Sequence, residues 1–263
     1  NNDLFMTQRK RANKKVPKHL QEEIEDYKRF EKVNRTVIDE FVRIKPLEFE
    51  LTNKQKHLIR VLNSNKIITI TGPPGTSKTF IACYVATQAF MNKQYNKIIL
   101  SKPTEVLSGT KDPGALPGTL DEKMAVYAES FFDAFDEFLT PRNFKQLWDE
   151  KAIEFKPAQF LRGRSIKDSF IIIDEFQNFD SKALKSIVTR LGRNSKIVFM
   201  GDTRQNDIHK RHVAVDTFNQ LISEIGEGCA TFKFDRVDIV RDPLLIKLID
   251  KWEEYEDNGK WPD

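Results

Sequence analysis

Gly72-Pro73-Pro74-Gly75-Thr76-Ser77-Lys78-Thr79 has the residue types needed to hold a polyphosphate. Glycines let successive backbone N–H groups turn inward on one anion. Lys78 would place its charge between the β- and γ-phosphates, and the Thr79 hydroxyl could take Mg²⁺. The run before the loop, 66–71, is β-branched and apolar, so it predicts a buried strand, and 78–91 predicts a helix. A loop so placed aims the helix's positive end at the same phosphate. Ser77 stands where such loops carry their last glycine. It costs about 1 kcal/mol if the backbone there needs a positive φ, and little if the residue is already helical.

Two further segments suit the other half of a phosphate-cleaving site. Phe170-Ile171-Ile172-Ile173 is an apolar strand that runs into Asp174 and Glu175. In a parallel sheet those carboxylates lie beside the phosphate loop. Asp174 would hold the metal through its water shell and Glu175 would polarise the attacking water. Gly201-Asp202-Thr203-Arg204-Gln205 again follows an apolar strand, and a tight turn there would let Gln205 sense a γ-phosphate.

Positioning these groups takes an alternation of strands and helices. Strand patterns at 66–71, 97–101, 169–174, 197–201 and near 231–234, separated by helical patterns, predict an α/β fold with a mostly parallel sheet covered on both faces. Thr52 is placed to cap a helix carrying Leu58, Ile59 and Leu62. Residues 48–263 are expected to form this domain, interrupted by an inserted helical element at about 102–168. Its strong helix, 120–139, shows Met124, Tyr127, Phe131, Phe135 and Phe138 along one side. Residues 1–47 are expected to be a basic arm and a helical extension, with Leu20, Ile24, Tyr27 and Phe30 at helical spacing over 19–33.

The formal charge of +4 in 263 residues permits a polyanionic partner without requiring one. Cys83 and Cys229 stand in no metal-ligand spacing, and no apolar run approaches the roughly 18 residues of a membrane span. The expectation is a cytoplasmic protein with no membrane and no zinc.

The phosphate loop, DEFQN at 174–178 and GDTRQ at 201–205 together resemble the first motor domain of superfamily 1 helicases. More closely, the chain is similar to the PhoH-like ATPases, which phages often encode. Leu116-Pro117-Gly118, Leu161-Arg162-Gly163-Arg164, Thr189-Arg190-Leu191-Gly192 and Val240-Arg241-Asp242-Pro243 extend the likeness over roughly 48–256. Ser77, Phe176 in place of the family's usual alanine and Lys102 before Pro103 in place of arginine depart from it. The resemblance implies a RecA-like P-loop NTPase domain that uses ATP and Mg²⁺, with Gln55 reading the adenine edge. It implies a helicase-like motor that binds single-stranded RNA or DNA, with the loop at Ser101-Lys102-Pro103-Thr104 on the strand. One motor core is visible, so an arginine in trans is expected from a neighbour in a homo-oligomer, a hexameric ring, with Arg190, Arg241, Arg162 and Arg164 as candidates. A nuclease partner is compatible with such a motor. A small-molecule kinase, or an ATP-gated binding scaffold with little turnover, could use the same loop.

Overall fold

The computed structural model describes residues 38–103, 120–161, 165–202 and 209–258. The chain divides after residue 42, a few residues before the expected boundary. Of the first unit only a helical turn at 38–41 is described, so the basic arm and the helix expected over 19–33 lie outside the described residues. Everything below belongs to residues 43–263.

In chain order that unit contains α1 (Asn53–Ser64), β1 (Ile67–Thr71), α2 (Lys78–Met91), β2 (Lys97–Ser101), α3 (Leu120–Asp136), α4 (Pro141–Asp149), β3 (Ile153–Phe155), β4 (Ser169–Ile173), α5 (Ser181–Val188), β5 (Lys196–Gly201), α6 (His209–Ile225), β6 (Cys229–Lys233) and α7 (Pro243–Asp257). The six strands form one sheet in the order β3-β2-β4-β5-β1-β6, and every pairing is parallel. β5 therefore runs between β1 and β4. The register opposes Thr71 to Gly201 and Ile173 to Phe199, so the loops after β1, β4 and β5 leave the same edge of the sheet side by side.

Both faces are covered. Ile99, Ile171, Ile173, Ile197 and Phe199 point to one face, where Leu184 and Ile187 of α5 and Val215, Phe218 and Ile222 of α6 close the core. The alternate residues face α2. Phe80 through Cys83, Val85 through Thr87, Ala89 and Phe90 of α2 are all buried, since the sheet lies on one side of this helix and α1 and α3 on the other. α1 begins where Thr52 and Gln55 close a capping box.

The inserted segment is more than a helix. α3 packs on α2, and Phe138, two residues past the end of α3, stands edge-on to Phe80 and Tyr84 at ring distances of 5.9 and 5.3 Å. The helix ends at Asp136, short of the expected 139, and Thr140 with Pro141 then starts α4. β3 pairs with β2 and extends the sheet. The expected insertion thus contributes an edge strand to the core.

Candidate functional site

The carboxyl edge of the sheet opens into a cleft of ≈ 360 Å³ lined by the phosphate loop, Asp174, Glu175, Gly201, Asp202, Val240 and Arg241. At the phosphate loop, Ser77 adopts φ 65 and ψ 27 and forms the N-cap of α2. The left-handed alternative is therefore the one realised, and the serine carries the β-carbon penalty that a glycine would avoid. Thr76 turns its hydroxyl inward onto the Pro73 carbonyl at 3.0 Å. Lys78 Nζ donates to the carbonyls of Gly72 at 2.7 Å and Pro73 at 2.8 Å, which hold its ammonium in the mouth of the loop. Burial pushes the Lys78 pKa down; Asp202, Asp174 and Glu175 oppose that, and Arg241 adds to it. The three carboxylates offset only part of the cost of taking this lysine out of water.

Asp174 is buried, 8% exposed. Its Oδ1 accepts from the Glu175 N–H at 3.0 Å, and its Oδ2 lies 3.5 Å from Lys102 Nζ. Burial raises its pKa; Lys102 pulls it down, Glu175 raises it, and the backbone bond and then Lys78 lower it. Glu175 adopts φ 56, a left-handed conformation at the strand-to-loop junction. Its carboxylate accepts from Gln177 Nε2, while Gln177 Oε1 accepts the Asp202 N–H at 3.2 Å. One side chain, 1% exposed, thus joins the acid after β4 to the loop after β5. Gly201 makes room for it: a β-carbon there would meet Gln177 Oε1 at 2.1 Å. Phe176 packs against Phe199 at 6.0 Å, so the bulkier residue in place of alanine fills core and leaves the cleft alone.

Arg241 enters from the turn after β6. Val240 N–H donates to the Gly75 carbonyl at 3.0 Å, and a β-carbon on Gly75 would come within 2.7 Å of Arg241 Cδ and Nε. Its side chain therefore lies across its own phosphate loop. Arg190 is at the other end of the sheet, where the Ile166 N–H donates to its carbonyl, separated from the cleft by the five residues of β4, about 17 Å at the usual rise. Gln55 is buried, and its Oε1 accepts the Thr52 N–H at 2.9 Å; pairing to adenine would use the remaining lone pair and the amide. Gln205, Arg162, Arg164 and Thr104 lie outside the described residues.

Sequence reasoning assigned no role to Gln177 and treated Lys102 only as a strand contact. The signal for Gln177 was its place in DEFQN; its partner, a backbone N–H beyond β5, is visible only in the fold. For Lys102 the signal was its position directly after β2, next to β4.

The donor set tests which metal could sit here. A hydroxyl, Thr79, and two buried carboxylates, Asp174 and Asp202, line the same cleft with Glu175, and among the described residues no group of three or more His, Cys, Asp or Glu could hold an ion. Hard oxygen donors so few in number suit Mg²⁺ that arrives with nucleotide phosphates and its own water, since Mg²⁺ is bound through one or two carboxylates plus phosphates.

Phosphate loop, buried strand-end aspartate and adjoining glutamate on this parallel sheet define a P-loop NTPase of RecA-like architecture. The family model described as PhoH-like protein matches residues 43–253, and the chain belongs to that family. It is 33% identical over 208 residues to a PhoH-like protein of Synechocystis sp., covering 79% of this chain and 63% of that one. It is 30% identical over 225 residues to a PhoH-like protein of Bacillus subtilis, covering 85% and 68%. The chain spans about three fifths of the length of several relatives it matches. The UvsW helicase of bacteriophage T4 aligns with a TM-score of 0.41 and 15% identity over 76% of this chain and 67% of that one. Among the described residues no helix is long and apolar enough to cross a membrane.

Proposed function

We propose that the chain hydrolyses Mg·ATP and couples turnover to single-stranded RNA or DNA, working as a homo-oligomer. The observation that carries hydrolysis is the Glu175 carboxylate held by Gln177 in the same cleft as Lys78 and Thr79. A second carboxylate beside the metal-binding Asp174 is what activation of water requires.

The chain's own groups divide the work. Backbone N–H groups of 75–79 cradle the phosphates, and Lys78 turns from the Gly72 and Pro73 carbonyls to the β- and γ-phosphates. Thr79 and Asp174 would hold Mg²⁺, which would neutralise charge developing on the phosphate oxygens. Glu175 takes the proton of the attacking water. Gln177 keeps Glu175 aimed and ties its position to the Asp202 turn, from which Gln205 follows in sequence. Arg241 acts in cis, its guanidinium adding positive charge to the loop it crosses. Arg190 is too far from its own cleft to serve it, which supports a role for it at a neighbour's site, in trans, in a ring. Lys102-Pro103, just past the buried Ser101 at the same sheet edge, is the surface through which a strand would feel the nucleotide cycle.

Phosphate release from Mg·ATP, with and without single-stranded RNA or DNA, tests the reading. Expected is release stimulated by one polymer and lost in both Lys78→Ala and Glu175→Gln. Release indifferent to either polymer removes the motor while keeping the ATPase. ATP bound tightly with no release at all defeats hydrolysis and leaves a nucleotide-gated scaffold.

A further inference from the structure

Lys102 makes three contacts that its position in a strand-binding loop does not call for. Its ammonium lies 3.5 Å from Asp174 Oδ2, donates to Ser130 Oγ on α3 and sits over the Phe131 ring, 5.3 Å from the centroid. The side chain is only 19% exposed. Asp174's other oxygen is already taken by the Glu175 N–H. Both carboxylate oxygens are thus engaged, one of them by a cation fixed from a different element of the fold.

From this we infer that Lys102 is a latch on the metal carboxylate. It competes with the divalent cation for Asp174, and lets go when an anion draws its ammonium outward. A dication held at Asp174, even through its water shell, and an ammonium 3.5 Å from the same carboxylate repel each other strongly in a site this buried. Loading of metal therefore drives Lys102 off Asp174. The ammonium then leaves the Ser130 hydroxyl and the Phe131 face, contacts weak enough to give up. On the rim it offers a charge-assisted hydrogen bond to a phosphate oxygen. By linkage, a phosphodiester strand that holds Lys102 on the rim must tighten metal binding by the factor by which metal tightens strand binding. This coupling rests on the nucleic-acid reading above, whereas the competition with metal does not. Lys102 is a positioning residue here: it acts on the site through Asp174.

Mn²⁺ affinity in the presence of ADP, read by electron paramagnetic resonance, tests it without turnover. Wild type, Lys102→Met and Lys102→Arg are compared, each with and without oligouridylate or oligothymidylate. Removing the competing charge should tighten Mn²⁺ binding roughly tenfold, the least expected of a unit charge that close to a carboxylate. The arginine variant, which keeps the charge, should stay near wild type. An oligonucleotide should tighten Mn²⁺ binding to wild type and leave the methionine variant unchanged. Equal or weaker Mn²⁺ binding in a Lys102→Met protein with an unaltered melting temperature overturns the latch. If phosphate release still occurs in that wild type, the ATPase reading survives the latch's failure. Tighter binding in the variant with no oligonucleotide effect in any protein keeps the competition and overturns the strand as its trigger.

Discussion

Lys78 and Lys196 are both drawn away from water, at opposite ends of the same sheet, and their surroundings could hardly differ more. Around Lys78 stand Asp202, Asp174 and Glu175, with the Gly72 and Pro73 carbonyls as its hydrogen-bond partners. Lys196 opens β5 at the amino edge, 6% exposed. It donates to the Leu62 carbonyl and lies 5.5 Å from the Phe170 ring. Burial alone pushes its pKa down to about 8. The first lysine is desolvated and partly compensated by acids that converge on it. The second is desolvated without a carboxylate to offset it, and serves only to fasten α1 to the sheet. Desolvation by itself does not mark a working residue; the acids converging on it do.

The largest effect should come from breaking the compensated end. Lys78→Ala removes a charge aimed at the phosphates, and phosphate release is expected to fall by roughly 10³-fold or more, given how much phosphoryl transfer depends on such contacts. Its thermal stability should hold or rise, because the cost of burying the ammonium, the largest influence on it, outweighs the attraction of the three carboxylates. A fall of less than tenfold in turnover would mean that Lys78 does not contact the transferred group.

Lys196→Met should do the reverse. The folded pKa of about 8 lies below the unfolded value, so the unfolded state binds more protons between those two limits. Stability contributed by this group is complete above the unfolded pKa and lost as pH falls through about 8. At neutral pH wild type therefore carries a penalty of about 3 kcal/mol, partly offset by the bond to Leu62. The methionine variant should be more stable at pH 7 by about 1–2 kcal/mol, with that gain shrinking toward pH 10, and its turnover should be unchanged. Denaturant melts of both proteins across that pH range decide it. A variant less stable than wild type at pH 7 would show that the Leu62 bond outweighs the desolvation.

The two ends also differ in how much of them could be read from the sequence. β1, β4 and β5 were legible as short β-branched runs ending in Gly72, Asp174 and Gly201, because buried parallel strands are apolar throughout and chemistry begins where they stop. Their order was legible only in part. β3, three residues at the sheet edge, has too little pattern to stand out within the insertion. α4 was hidden behind the longer aromatic stripe of α3. Arg241 was expected among donors in trans, since a residue so far along the chain shows no link to Gly75 until the turn after β6 brings it there. Lys196 left no trace, because a lysine at the start of a strand reads as solvent-exposed.

Gln177 tests the working end at a finer scale. Gln177→Leu preserves the volume packed under Gly201 but removes the bond to Glu175 and the acceptor for the Asp202 N–H. Groups that orient a reacting residue typically contribute about 10–100-fold. Turnover should fall by that much while ATP binds within about twofold of wild type. A matched loss of affinity would mean that the side chain shapes the phosphate cradle instead.

Backbone strain gives the smallest and cleanest contrast between the ends. Ser77 in the phosphate loop and Asn194 in the turn before β5 both have positive φ, 65 and 50. Asn194 suits such a turn, since its short amide tolerates the left-handed region. It is also engaged there, donating to the Gln94 carbonyl at 3.0 Å and to Asp168 Oδ1 at 3.2 Å. Ser77 has no side-chain capping bond to set against its strain. The left-handed penalty of about 1–2 kcal/mol for an L-residue exceeds the roughly 0.4–1 kcal/mol that glycine's freedom costs through the unfolded state. Ser77→Gly should therefore stabilise the protein by somewhat under 1 kcal/mol, whereas Asn194→Gly should destabilise it by a similar amount through its lost hydrogen bonds. Parallel thermal melts read both signs. If the two variants moved together, the strain at Ser77 would be relieved by something other than backbone freedom, and the serine hydroxyl would become the next group to examine with nucleotide bound.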